Sequence, residues 1–153
     1  MGLMLFTSCQ NESVVFEGSK NLPSDGWKYQ NVQSFAIDIK DTTRLYDLTI
    51  NVRHSNDYEN ANLWLKMRTI YPSGRSFEAP VNIVLAEESG KWLGSGIQSI
   101  LSRSQKIYSD SKMPELGEYR FEFSQNMRRN PLEEIRDFGI ALSKSSINQA
   151  PGN

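Results

Sequence analysis

Apolar and polar residues alternate along most of this chain, which is the period-two signature of half-buried β-strands. Phe35, Ile37 and Ile39 fall on one side of such a strand and Ala36, Asp38 and Lys40 on the other. Leu48, Ile50 and Val52 alternate with Thr49, Asn51 and Arg53, and Leu63, Leu65 and Met67 oppose Trp64, Lys66 and Arg68. The turn Pro72-Ser73-Gly74 ends that third strand, and Val81, Ile83 and Leu85 form a fourth. Glu88-Ser89-Gly90 turns the chain into Lys91-Trp92-Leu93. From Ile97 to Tyr108 the pattern weakens where Ile100 and Leu101 break it, and a bulge is expected there. Tyr119, Phe121 and Phe123, then Phe138, Ile140 and Leu142, complete seven or eight strands.

Short strands separated by Gly, Pro, Asn and Asp predict an all-β fold, because βαβ units would need helical segments between the strands. The expected architecture is a single antiparallel β-sandwich over residues 14–143, of jelly-roll or immunoglobulin-like type. One short helical turn is expected at Asn130-Pro131-Leu132-Glu133-Glu134-Ile135, where Asn can cap and Pro is tolerated at the first position. Residues 10–13 and 144–153, rich in Ser, Asn, Gln, Pro and Gly, read as a tether and a loose tail.

The 17 Lys and Arg nearly balance 18 Asp and Glu. No basic excess suggests a nucleic-acid partner, so none is expected. A chain of 153 residues is long enough to bury a core without disulfides, and it holds a single cysteine.

That cysteine directs attention to the start of the chain. Leu3-Met4-Leu5-Phe6-Thr7-Ser8-Cys9 resembles a bacterial lipobox, in which small residues precede a cysteine that becomes the lipidated first residue; Phe6 stands where Leu is usual. On this reading residues 1–8 are a signal-peptide remnant and Cys9 is the lipid anchor. Met1 or Met4 is expected to lie inside a longer leader, since a secretory signal needs a basic region and an apolar run of about 7–15 residues. The membrane is then engaged through the lipid, because the apolar stretches of the domain fall far below the ~20 residues of a spanning helix.

Candidate chemistry is sparse. His54 is the sole histidine, beside Arg53 and Asp57. With no nucleophile-elbow serine to partner it, it reads as a strand-end residue capping a loop. Asp38, Asp41, Asp110, Glu115 and Glu118 lack the spacing of a calcium loop and read as solvated charge. No metal or other cofactor is expected. Trp64 and Trp92 have two readings: burial, which the general tendency of large aromatics places first, or exposure as a platform for sugars or a protein partner. Arg128 lies in the run Met127-Arg128-Arg129, either an interface patch or local ion pairs with Glu133 and Glu134.

Read together, Trp27, Phe35-Ala-Ile-Asp38, Tyr46 through His54, Tyr58 and Asn62-Leu63-Trp64-Leu65 resemble the gliding motility lipoprotein GldH family of the Bacteroidota. Pro72-Ser-Gly74, Gly90-Lys-Trp-Leu-Gly94 and Tyr119 through Arg128 with Pro131-Leu132 extend the resemblance to about residues 16–142. It implies a cell-envelope lipoprotein needed for gliding, coupled to the type IX secretion system and placed at the outer membrane, and it carries no catalytic residues. A non-enzymatic binding component is therefore expected, docking envelope proteins through the face of Trp64, Lys66 and Arg68. The alternative is a surface carbohydrate-binding module using Trp64 or Trp92.

Overall fold

The computed structural model describes residues 13–147. Its nine strands are β1 (Val14–Asn21), β2 (Gln33–Ile39), β3 (Leu45–Ser55), β4 (Asn62–Ile70), β5 (Ser76–Val84), β6 (Ser95–Ile97), β7 (Ile100–Lys112), β8 (Gly117–Gln125) and β9 (Ile135–Lys144). One antiparallel sheet has the order β1-β9-β3-β7-β6 and the other β2-β8-β4-β5. The pairings are nested: β1 with β9, β2 with β8, β3 with β7, and β4 with β5. A chain folded as one long hairpin and then wrapped gives this order, so the sandwich is a jelly roll with β6 added to the edge of β7.

The predicted alternation sets the register of the core. Phe35, Ile37 and Ile39, Leu63, Leu65 and Met67, and Tyr119, Phe121 and Phe123 all point inward from the four-stranded sheet. Leu48, Ile50 and Val52 of β3 and Phe138, Ile140 and Leu142 of β9 meet them from the other. The sheets exchange no ladder hydrogen bonds, so side-chain packing fixes how they stack. Phe138 carries much of this, its ring 5.1 Å from Phe123, 5.2 Å from Trp27 and 6.2 Å from Phe35.

Both open flanks are closed by side chains. Gln105 on β7 accepts from Val84 N (2.9 Å) and donates to the Asn82 carbonyl (3.0 Å), copying a strand's pairing along the edge of β5. Arg103 adds a bond to the Val84 carbonyl (3.0 Å). On the other flank Lys20 donates to the Ser34 carbonyl (2.6 Å) beneath β2. Such covering protects edges that would otherwise pair with other chains.

Several local expectations are corrected. The segment 130–135 is not helical: the Asn130–Pro131 bond is cis and Leu132 forms a β-bridge with Trp27. Asn130 does not cap a helix; its Oδ1 accepts from Tyr29 N (2.9 Å). The break at Ile100-Leu101 is no bulge but the exit of a tight hairpin through Gln98 and Ser99. The register shifts of β7 come later, opposite Tyr46, Leu48 and Thr49. Strand β1 was not anticipated. Pairing also runs through Lys144, and Ser145 is buried, slightly past the expected start of the tail.

Phe138→Ala is expected to destabilise the domain by about 3–5 kcal/mol, the usual cost of truncating a buried phenylalanine. Urea unfolding checks this, with Phe77→Ala, at a side chain 61% exposed, as the variant that changes little.

Candidate interaction surface on the four-stranded sheet

Among the described residues no further layer covers the outer face of the four-stranded sheet, so its outward side chains are exposed there. Trp64 is 40% exposed there, which corrects the expectation of burial. Parity along β4 turns Trp64 away from the core that Leu63 and Leu65 enter, and a two-layer sandwich has nothing to lay over it.

The chain beyond β8 fixes the indole's surroundings. Asn126 N donates to the Trp64 carbonyl (2.8 Å), and Trp64 N donates to Met127 Sδ (3.1 Å). Gln125 shapes this loop from below. It continues the inward parity of Tyr119, Phe121 and Phe123, and is buried. Its Oε1 accepts from Met127 N (2.8 Å), and its Nε2 donates to the carbonyls of Arg129 (3.0 Å) and Trp27 (3.3 Å). Tyr29 donates its hydroxyl to the Met127 carbonyl (2.7 Å). The result is an open depression of about 530 Å³ bounded by Trp64, Met127, Arg128 and the Arg129–Glu59 ion pair (2.6 Å). Trp64 and Arg128 were expected candidates. Gln125 and Met127 were not, although a glutamine at an inward position of an aromatic strand was a readable sign of a polar group with a structural task.

The basic stripe along β4 is weaker than expected. Arg68 faces Glu122 on β8, 3.9 Å away, and stands opposite Glu78 on β5, so its charge is largely offset. Lys66 lies between Ser124 and Pro80 and has no ion pair among the described residues. Lys66 and Arg128 are the cations free to meet a partner around Trp64.

Trp92 belongs elsewhere. It is half-buried, bridges Ala86 in the connection after β5, and packs its ring 4.7 Å from His54. His54 stands at the end of β3, as read, and is fully buried there, with Tyr58 on a second side (6.0 Å between rings). Its Nδ1 donates to the Ser55 carbonyl (2.8 Å), which leaves Nε2 unprotonated and without a partner. Burial pushes its pKa below the ordinary 6.5, and the bond to Ser55 only partly opposes this. The same surroundings raise the Tyr58 hydroxyl to about 12 by burial.

The carboxylates serve separate local tasks. Asp110 accepts from Ser145, Glu115 from Ser73 N (2.9 Å) and Arg75 (3.2 Å), and Asp41 from Thr43 (2.9 Å), while Glu118 pairs with Arg120 (3.6 Å). Among the described residues no three His, Cys, Asp or Glu side chains are placed to hold a metal ion. Cys9 lies outside the described residues.

Fold and surface together define an all-β jelly-roll domain whose accessible chemistry sits on a sheet face and its adjoining loop. The chain belongs to the GldH lipoprotein family, which it matches over residues 14–142. It is 30% identical to a gliding motility lipoprotein GldH homolog of Christiangramia forsetii, covering 94% of this chain and 91% of the relative. It is 26% identical to gliding motility lipoprotein GldH of Flavobacterium johnsoniae, covering 94% and 92%. Among solved structures it has a distant likeness to infectious bursal disease virus VP2, with a TM-score of 0.36 and 14% identity. That likeness covers 88% of this chain but only 31% of the capsid protein, and it carries no argument here.

His54 gives a pH prediction with a definite sign. Its folded pKa is depressed, so the unfolded chain takes up a proton first as pH falls through about 6.5. Stability is complete above that value and declines below it. Urea midpoints measured between pH 7.5 and 5 should fall in the native chain and fall less in His54→Gln.

Proposed function

We propose that this protein is a non-enzymatic gliding motility lipoprotein, anchored through Cys9 to the outer membrane. In this reading it binds protein components of the gliding and type IX secretion apparatus through the depression at Trp64, Met127 and Arg128. Membership of the GldH lipoprotein family and the names of its relatives support the motility and lipoprotein parts of the reading.

The observation that carries the docking site is the half-exposed Trp64, its backbone fixed by Asn126 and Met127, beside Arg128, which has no ion pair among the described residues. Trp and Arg supply a disproportionate share of interface binding energy. A side chain on backbone already fixed on both sides has less conformational freedom to lose when a partner covers it. Lipidation confines the domain to a surface and raises its effective concentration near partners on that surface. A second reading uses the same exposed indole to stack on a sugar; quenching of tryptophan fluorescence by envelope polysaccharide, lost in Trp64→Ala, would favour it.

Trp64→Ala is expected to weaken capture of gliding and secretion components about tenfold or more, as loss of an interface anchor does. Its unfolding midpoint should stay near that of the native chain. Cys9→Ala is expected to move the protein from the membrane to the soluble fraction and stop gliding. Normal gliding by a soluble variant would contradict the proposal.

A further inference from the structure

The jelly roll gathers its connections at two opposite ends. One end holds the start of β1, the connections 40–44, 71–75 and 113–116, and residues 145–147. The other holds the connections 22–32, 56–61, 85–94 and 126–134 and the short strand β6, and with them Trp92, Arg128 and the hairpin of Ile97. The eleven residues of β3 separate these ends by about 36 Å. From Cys9 to Val14 the chain can reach at most about 18 Å. A lipid on Cys9 therefore brings the first end close to the bilayer.

That end is suited to an interface. Leu116 stands at the tip of the 113–116 connection, 63% exposed, and Ile147 and Val14 are also exposed there. The tip is rigid. Glu115 accepts from Ser73 N (2.9 Å) and Ser73 Oγ (3.1 Å) on the neighbouring connection, and its own N donates to the Tyr119 hydroxyl (3.0 Å). Arg75 pairs with the Glu115 carboxylate (3.2 Å), so the acid beside Leu116 brings no uncompensated charge toward lipid. Lys40 and Lys112 flank the end, both exposed and without ion pairs among the described residues. Of the acids at this end, Asp41 pairs with Arg44 (3.9 Å) and Glu118 with Arg120 (3.6 Å), while Asp38 is exposed. An apolar tip flanked by two lysines can meet a bilayer surface, where acyl chains lie beneath phosphates.

We infer that this end is a second, non-covalent membrane contact. Leu116 enters the interfacial zone, Lys40 and Lys112 meet lipid phosphates, and the domain stands end-on with Trp64 and Arg128 directed away from the bilayer. The inference rests on the anchoring of Cys9 proposed above and adds an orientation to it.

The test uses the full-length acylated lipoprotein carrying Leu116→Cys, Lys112→Cys or Ile97→Cys. Ile97 is 84% exposed at the far end and serves as the distal reporter. The sulfur of an acylated Cys9 is a thioether, so a polarity-sensitive thiol dye labels only the introduced cysteine. Each protein is reconstituted into phosphatidylethanolamine–phosphatidylglycerol vesicles containing a nitroxide-labelled lipid. Dye at 116 or 112 should be quenched at least threefold more than dye at 97. Equal quenching, or stronger quenching at 97, in protein that floats with the vesicles overturns the orientation and leaves the anchor standing. Protein that does not float overturns the anchor and the orientation together.

Discussion

The packing of Phe138 against Phe35, Phe123 and Trp27 is the contact on which the other features of this domain rest. Ladder hydrogen bonds hold each sheet together but none joins the two, so their stacking depends on side chains that interdigitate between them. Phe138 lies on β9, which pairs with both β1 and β3, and its ring reaches β2 and β8 in the opposite sheet. Trp27 then carries the constraint outward. Its N–H and carbonyl pair with Leu132, and the same carbonyl accepts from Gln125, which folds the loop holding Met127 and Arg128. The exposed surface beside Trp64 is thus built on the aromatic junction of the core.

Burial and exposure follow from the same two-layer arrangement. Inward side chains have a second sheet to meet, and outward ones meet water unless a loop crosses them. His54 is inward, and the connection after β5 lays Trp92 over it. Trp64 is outward, and the loop after β8 lies beside it and leaves it 40% exposed. The two tryptophans consequently have different places, one sealing a buried histidine and the other exposed on the sheet face.

Much of the fold was legible because alternation reports directly on which side chains meet the opposite sheet. All six strands with clean alternation point their apolar residues inward as read. Strand β1 was not legible: it is an edge strand, and Glu17, Ser19 and Lys20 face solvent, so little burial is left to mark it. Strand β6 has three exposed residues and leaves no pattern at all. The helical turn at 130–135 failed because Asn-Pro is a local signal, and pairing of Leu132 with Trp27 overrides local preference. At the site, the outward direction of Trp64, Lys66 and Arg68 was readable from parity. The meeting of Trp64 with Met127 and Arg128 was not, since it depends on strand order, and neither were the cross-strand acids that offset Arg68.

In the proposed arrangement the domain divides its tasks by position: one end toward the anchor, the opposite rim and outer sheet face toward partners. The most direct test of that account is cross-linking in gliding cells from a photoreactive residue placed at position 64, compared with one at position 51 on the outer face of the other sheet. The account predicts adducts with gliding and secretion proteins from position 64 and few from position 51. Adducts confined to position 51, or absent from position 64 in motile cells, would contradict it.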